Sequence, residues 1–220
     1  MKIGIIIAMD IEYRKMLDVL GGQPQGTVAG NDVVLWQCGI GKVNAAVGTM
    51  RLIQEHRPDC ILSTGLAGGI DPCLDVMDVV VGSQTVYHDV WCGMGNSYGQ
   101  VQGLPARFDA DPLMLRCASS IAEKQGHGVK EGLICTGDQF ITDKAALQQI
   151  KSRFPEGLAC EMESAAIAHT CHLNQIPFLS IRVISDTPGN TDNHQQQWDA
   201  FLDSMTDRSF HFVRNFLEQL

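Results

Sequence analysis

Residues 59–70 read DCILSTGLAGGI, an apolar run that leads into a glycine-rich segment. The apolar run is continuous rather than alternating, which is typical of a strand buried on both faces of a sheet. The glycines predict either a tight turn or a close approach of the backbone to a ligand, because glycine lacks a Cβ atom. The phosphate-loop patterns GxxxxGK(S/T) and GxGxxG do not fit this segment. The stretch is therefore interpreted as a buried strand followed by a turn.

Other short runs rich in Val and Ile alternate with helical patterns along the chain. Further strands are predicted at residues 2–8, 31–38, 77–89, 131–137 and 176–186, with a hairpin partner at 26–30. Helices are predicted at residues 10–20, 42–56, 111–125, 144–154, 163–175 and 198–220. Apolar strands between helices predict an α/β fold. We expect a single three-layer domain over residues 1–220, with a mixed, mostly parallel central sheet flanked by helices.

The composition argues against several classes of partner. The 220 residues carry a net charge of −9, whereas nucleic acids and anionic membranes favour clustered Lys and Arg, so we expect neither as a partner. The first apolar run is too short for a signal peptide or a membrane span, and the eight cysteines include no CxxC pair. These features favour a reduced, cytoplasmic protein. No metal is expected, because His169, Cys171 and His172 lack a second cluster of ligands.

Acidic residues adjoin the ends of several predicted strands, where ligands of parallel sheets bind. They are Glu12, Asp138, Glu161, Glu163 and Asp186. Arg182 lies four residues before Asp186 on one strand and therefore on the same face. A mouth rich in carboxylates suits sugar hydroxyls, a protonated leaving group and an activated water better than it suits phosphate.

Two residues at predicted helix starts have simpler interpretations. Glu161 precedes an alanine-rich helix, where an acid opposes the positive end of the helix dipole, so a structural role and a ligand role both stay open. Lys42 follows the glycines of GIGK, where a solvated lysine at a helix start is expected.

Seven segments together resemble the 5′-methylthioadenosine/S-adenosylhomocysteine nucleosidases, within the wider nucleoside phosphorylase superfamily. The segments are MKIGIIIAMDIE, CGIGKVNAA, STGLAGG, TVYHDV, TGDQFI, CEMESAAIAHTCH and IRVISD, in the order and spacing of that family. GIGK alone is a weak signal, whereas EME with IRxISD and an acid at Glu12 is specific. The resemblance implies a nucleoside phosphorylase-like fold without a cofactor. It also implies a hydrolase that uses water to cleave the N-glycosidic bond of 5′-methylthioadenosine and S-adenosylhomocysteine, releasing adenine and the thioribose.

The resemblance also implies residue roles, carried over by position in those motifs. Glu12 would be the base that activates water, and Asp186 the acid that protonates adenine N7, with Ser185 orienting it. Glu163 would hold the ribose 2′- and 3′-hydroxyls. The other implied substrate contacts are Ala8, Met9, Leu66, Ala67, Gly68, Phe140, Ile141, Glu161, Met162, Arg182 and Trp198. Pro105 and Phe108 would reach the site of a neighbouring subunit, which implies a homodimer.

The implied chemistry is reasonable in its own right. Adenine leaves poorly as an anion, so a proton must arrive at N7, and an aspartic acid in a desolvated site can deliver it. The sugar becomes oxocarbenium-like, as in other glycoside hydrolysis, where two carboxyl groups divide the acid and base work. A carboxylate on the ribose hydroxyls favours that developing cation electrostatically.

Three departures from the family pattern leave the preferred 5′-substituent open: Ile7 for glycine, Leu66 for a small residue and Trp198 near a phenylalanine. Related functions also stay open. A nucleosidase for aminodeoxyfutalosine would share the adenine contacts. A phosphorolytic purine nucleoside phosphorylase is disfavoured by Asp10 and Glu12, which would repel phosphate. A catalytically silent nucleoside-binding protein is disfavoured by the retention of the acids at the implied catalytic positions.

Overall fold

The computed structural model describes residues 1–125, 128–188, 193–204 and 210–220. The strands are β1 (Lys2–Ile7), β2 (Gln25–Val28), β3 (Asn31–Gln37), β4 (Cys60–Gly69), β5 (Val79–Tyr87), β6 (Phe108–Asp109), β7 (Val129–Thr136), β8 (Gly157–Glu161) and β9 (Phe178–Asp186). The helices are α1 (Asp10–Val19), α2 (Lys42–His56), α3 (Pro112–Gln125), α4 (Lys144–Arg153), α5 (Ser164–Asn174), α6 (His194–Ser204) and α7 (His211–Gln219). Across this part of the chain, no helix has the length and apolar character needed to cross a bilayer.

One mixed sheet contains all nine strands found in the described residues, in the order β2-β3-β1-β4-β8-β7-β5-β6, and β9 pairs with both β4 and β5. Strands β3, β1, β4 and β9 run parallel. Strand β9 is antiparallel to β5, and β5 runs parallel to β7. Because β8 pairs with both β7 and β4, the strands β4, β9, β5, β7 and β8 form a closed ring. The predicted α/β class, with a mixed central sheet flanked by helices, is confirmed.

The core lies on both faces of the sheet, as the continuous apolar strands predict. In β1, Ile3 and Ile5 point into a cluster that includes Phe212 and Phe216 of α7. Ile6 points the other way, into a cluster shared with Leu52 of α2 and with α5. The alternating side-chain direction of a strand therefore buries β1 between two helical layers.

The predicted turn after residue 65 is wrong, because β4 continues to Gly69. Residues 66 and 67 pair with Val183 and Ile184 of β9, and Gly68 and Gly69 pair with β8. A Cβ atom on Gly69 would lie 3.2 Å from Ile184 Cγ2. The glycines thus allow close packing of strands rather than a change of direction.

Two other predictions are corrected by the structure. The short strand β8 was not predicted, because the few apolar residues before Glu161 show no periodicity. The single helix predicted at residues 198–220 is wrong: α6 packs on β9 and α7 packs on α3, with residues 205–209 outside the described part of the chain. Phe210 is fully buried just before α7, so that helix begins where its own apolar face meets the core.

Replacement of Gly48 by alanine tests the packing of α2. Alanine is favoured over glycine in a helix by about 1 kcal/mol, but its Cβ atom here would lie 2.4 Å from Cys38 Cβ. We expect Gly48→Ala to lower the free energy of unfolding by about 1–3 kcal/mol, the usual cost of overpacking. Urea denaturation measures this change, and a gain in stability would contradict the close packing.

Candidate active site

A pocket of about 310 Å³ opens beyond the carboxyl ends of β1, β4, β8 and β9. Its size is at the lower end of the range for small-molecule sites. It is lined by Ala8, Met9, Glu12, Ile40, Leu66, Ala67, Gly68, Phe140, Cys160, Glu161, Met162, Glu163, Asp186 and Trp198. The structure therefore brings together most of the residues that the sequence selects from widely separated motifs.

Glu12 is buried in the first turn of α1, and two backbone amides hold its carboxylate. The amide of Leu66 donates to Oε1 at 2.8 Å, and the amide of Met9 donates to Oε2 at 3.0 Å. Gly65, with a φ of 152°, allows this approach, because a Cβ atom there would lie 2.7 Å from Oε1. Burial raises the pKa of Glu12 above its ordinary value, although both amides and Arg182 oppose the rise. A carboxylate with a raised pKa is a better proton acceptor.

The carboxylate of Glu161 accepts hydrogen bonds from several groups of the protein itself. Its Oε2 accepts from the amides of Glu163 and Ser164 at 2.9 and 2.8 Å, and from Arg182 Nη2 at 2.9 Å. The Thr136 hydroxyl donates to Oε1. These bonds satisfy amides at the start of α5 and neutralise a buried guanidinium. The contacts favour the structural interpretation of Glu161, although the residue also borders the pocket.

Glu163 is as buried as Glu161, but fewer protein groups donate hydrogen bonds to its carboxylate. Its Oε1 accepts from the amide of Gly41 at 2.9 Å, and its carboxylate lines the pocket. Burial, followed by the nearby charge of Glu161, raises the pKa of Glu163 to about 8. A carboxylate in this setting gains most from a ligand that donates hydrogen bonds, such as a pair of sugar hydroxyls.

Asp186 lies at the end of β9 and is held by its neighbour Ser185. The Ser185 hydroxyl lies 2.7 Å from Asp186 Oδ1 and 3.2 Å from the carbonyl oxygen of Ala67. Because a hydroxyl has one proton, it donates a hydrogen bond to one of these two acceptors at a time. Both residues are buried. Ser185 does not line the pocket, which agrees with an orienting rather than a contacting position.

Two aromatic rings form one wall of the pocket. Phe140 and Trp198 meet edge to face, with ring centroids 5.5 Å apart. About half of the Phe140 surface is exposed, so a flat ligand has access to it. Ile141, implied as a contact to the base through its backbone, has its side chain buried in a separate cluster with Cys135 and Leu147, outside the pocket.

A second, much smaller cavity of about 10 Å³ adjoins the pocket, with Glu12, Glu163 and Leu66 lining both spaces. Arg182 borders only the smaller one. Among the described residues, its Nη1 atom and the Thr64 hydroxyl make no hydrogen bond to protein. A polar cavity of this size holds about one water molecule. Its walls therefore offer a water both donors and carboxylate acceptors.

The remaining predicted residues lie outside the pocket. Asp138 is at the rim, where it accepts from the amide of Lys42. Lys42 is not solvated as expected, because it pairs with Asp89. Phe108 is buried against Tyr87 and the ring of His169 within its own chain, whereas Pro105 is exposed.

Several features of the site were missed from the sequence. Ile40 and Cys160 line the pocket, and Gly41 provides the amide bound to Glu163. The available signal was the pair of glycines in GIGK, since Gly39 and Gly41 adopt φ values of 90° and 92° that other residues rarely take. In the described part of the chain, no group of three or more His, Cys, Asp or Glu side chains could hold a metal ion.

Comparison with known proteins identifies the family of this chain. A family model described as the phosphorylase superfamily matches residues 2–218. The chain is 42% identical over 231 residues to the 5′-methylthioadenosine/S-adenosylhomocysteine nucleosidase of Chromohalobacter salexigens, an alignment that covers 100% of this chain and 97% of that protein.

Solved structures of nucleosidases are also similar to this chain. The nucleosidase of Neisseria meningitidis in complex with methylthio-immucillin-A is 36% identical, with a TM-score of 0.90 over 100% of this chain and 99% of that one. The nucleosidase of Colwellia psychrerythraea in complex with adenine is 36% identical, with a TM-score of 0.90 over 100% and 96%. The fold is thus that of the phosphorylase superfamily. Within that superfamily, the chain belongs to the 5′-methylthioadenosine/S-adenosylhomocysteine nucleosidase family.

The raised pKa of Glu163 predicts how the free energy of unfolding depends on pH. At pH values between 4.5, the ordinary pKa of glutamate, and about 8, Glu163 keeps a proton in the folded protein that it has lost in the unfolded chain. The free energy of unfolding contributed by this group is therefore fully present below pH 4.5 and is lost as the pH rises through about 8. Glu163→Gln removes this loss, so the variant should become progressively more stable than the wild type across that window. Urea denaturation at several pH values measures the difference, and a constant difference would contradict the raised pKa.

Proposed function

We propose that the protein hydrolyses 5′-methylthioadenosine and S-adenosylhomocysteine, releasing adenine and the thioribose. One observation carries the proposal: a water-sized cavity bordered by Glu12 and Arg182 adjoins a nucleoside-sized pocket that contains Asp186 and Glu163. The support is that Glu12, Asp186 and Glu163 border one space, where two carboxyl groups can divide the acid and base work of glycoside hydrolysis.

In the proposed reaction, Asp186 protonates adenine N7 as the glycosidic bond breaks, so that adenine leaves as a neutral base. The Ser185 hydroxyl holds the carboxyl group of Asp186 in place at 2.7 Å. Phe140 and Trp198 provide apolar surface for the flat base.

Water attacks the sugar from the smaller cavity. Glu12 takes a proton from this water, and burial supports that step by raising the pKa of Glu12. The free Nη1 of Arg182 and the Thr64 hydroxyl are available to orient the water in the region that the structure describes. Glu163 accepts hydrogen bonds from the ribose hydroxyls, and its charge stabilises the oxocarbenium-like transition state. Met162 packs against the ribose.

A phosphorolytic reaction is disfavoured by the charges at the attacking position. Phosphate there would face Glu12 and Glu163, and the guanidinium of Arg182 already pairs with Glu161 at 2.9 Å. Chromatographic measurement of adenine release, with and without phosphate, tests the proposal. Adenine and methylthioribose in phosphate-free buffer are expected. Sugar phosphate formed only with phosphate would instead indicate a phosphorylase.

The acid and base roles predict the behaviour of two variants. Asp186→Asn and Glu12→Gln preserve side-chain shape but remove proton transfer, so each should lower kcat by about 10²–10⁴-fold or more. Circular dichroism should show a retained fold in both. Near-normal turnover by the Asp186 variant would contradict its role as the acid, and near-normal turnover by the Glu12 variant would contradict its role as the base.

A homodimer is also proposed, with Pro105 of each subunit near the neighbouring site. The support is an apolar surface on the adjacent helices α2 and α5. It contains Val43 and Val47, which share a face of α2, and Leu173 of α5, and these side chains are 74%, 48% and 62% exposed. Such exposed apolar patches commonly mark protein interfaces.

Val47→Glu tests this interface. A charge in an apolar contact should shift the protein from dimer to monomer, as measured by size-exclusion chromatography with light scattering. Leu113→Glu is the matched control, because Leu113 is 67% exposed on α3. A wild-type protein that is monomeric, or equal effects of both substitutions, would contradict the proposed surface.

A cytoplasmic location is proposed on the basis of the cysteines. All eight are free thiols, and Cys73 and Cys92 are exposed. Exposed free thiols persist in a reducing compartment.

A further inference from the structure

Three charged residues outside the pocket join two segments that line it, at Ile40 and Phe140, to the segment after β5. Lys42 begins α2, Asp89 follows β5 and Asp138 follows β7. The Lys42 Nζ atom lies 2.8 and 2.7 Å from the two carboxylate oxygens of Asp89, and 3.7 Å from Asp138 Oδ2. This group is called the rim cluster below.

The rim cluster also binds backbone. The amide of Lys42 donates to Asp138 Oδ1 at 2.7 Å, and the amide of Asp138 donates to Asp89 Oδ2 at 2.9 Å. A simple surface ion pair joins two side chains and contributes little to stability. Here the carboxylates hold main-chain atoms, so they fix the positions of two loops relative to each other.

One of these loops reaches Glu163 directly. Gly41 precedes Lys42, and its amide donates to Glu163 Oε1 at 2.9 Å. Consecutive amides at the start of α2 therefore bind two carboxylates, one at the rim and one inside the pocket. Asp138 also packs closely on Gly41, because a Cβ atom on this glycine would lie 3.1 Å from Asp138 Oδ1.

We infer that Lys42, Asp89 and Asp138 are positioning residues, which hold the Gly41 amide against Glu163 and so set the grip of the protein on the ribose. The inference rests on the proposed function for the part that concerns the ribose. None of the three residues of the rim cluster lines the pocket. The rim cluster acts through Gly41, because that amide is a hydrogen-bond donor to the ionised form of Glu163.

The charged groups around Glu163 determine how its pKa would respond to a weaker hydrogen bond from the Gly41 amide. Glu12 from α1, Cys38 from the segment after β3, Glu161 from β8 and Arg182 from β9 interact with it electrostatically. Burial and the two acids disfavour its charge, whereas Arg182 and the Gly41 amide favour it. Loosening the amide removes one of the two favourable contributions. The pKa of Glu163 should then rise further, and a larger fraction of the protein should carry a neutral Glu163 near neutral pH.

Lys42→Met is the main test, since it removes the ammonium and keeps most of the side-chain stem. We expect the ascending limb of the pH profile of kcat/KM to move to higher pH by about half to one pH unit, as expected for a weakened hydrogen bond to a charged group. KM should rise by about three- to tenfold at neutral pH, the change that a shift of this size implies, while kcat changes less, because Asp186 and Glu12 are untouched.

Lys151→Met is the matched control. Lys151 pairs with Asp71 at 2.9 Å, and the two side chains are 24% and 25% exposed, compared with 22% and 19% for Lys42 and Asp89. Lys151 does not line the pocket, so its variant should keep the wild-type pH profile. An unmoved profile in Lys42→Met, or equal movement in both variants, would overturn the inference.

A measurement without substrate separates this inference from the proposed function. The pH range over which stability falls should move upward in Lys42→Met, and this movement should vanish when Glu163→Gln is also present. A wild-type protein that releases no adenine would contradict the proposed function, and this unfolding experiment would still decide the positioning role. If Lys42→Met does not fold, Asp138→Ala removes the acceptor of the Lys42 amide at a half-exposed site, and the same shift is expected.

Discussion

The buried ion pair between Glu161 and Arg182 sets the geometry of the whole site. Both side chains are almost completely buried, and their charged atoms lie 2.9 Å apart. Burying two charges is costly, and such a pair adds little net stability. Its effect is on position: Glu161 binds the amides of Glu163 and Ser164, while Arg182 also donates to Ser63 on β4. The start of α5, next to Glu163, and the guanidinium beside the smaller cavity are thereby held by the same carboxylate.

Two other acids of the site, Glu12 and Glu163, are held differently. Glu12 and Glu163 depend on backbone amides, and burial raises the pKa of both. Their charge is therefore carried at a cost to the fold, as is common where residues are arranged for chemistry rather than stability. The glycines Gly41 and Gly65 serve this arrangement, since each lets a backbone segment approach a carboxylate more closely than a side chain would allow.

The sequence predicts the layers of this fold well, because buried parallel strands leave continuous apolar runs such as residues 2–8 and 59–65. It also selects Glu12, Glu163 and Asp186 for one pocket, through motifs and the position of strand ends. Other features depend on distant pairing and leave no local pattern. The extension of β4 through its glycines depends on β8 and β9, and the pairing of Lys42 depends on loops roughly 50 and 100 residues away in sequence. The division of the last predicted helix depends on where Phe210 finds the core.

The closed ring of strands has a consequence for how relatives of this protein could diversify. Asp186, Glu161 and Leu66 sit on strands of the ring, whose positions are fixed by pairing on both sides. Ile40, Phe140 and Trp198 line the same pocket from segments outside the ring. Mutations in this second group change the shape of the wall without disturbing the reacting groups. New nucleoside preferences can therefore arise in evolution through changes in these wall residues, while the pocket residues on the ring stay unchanged.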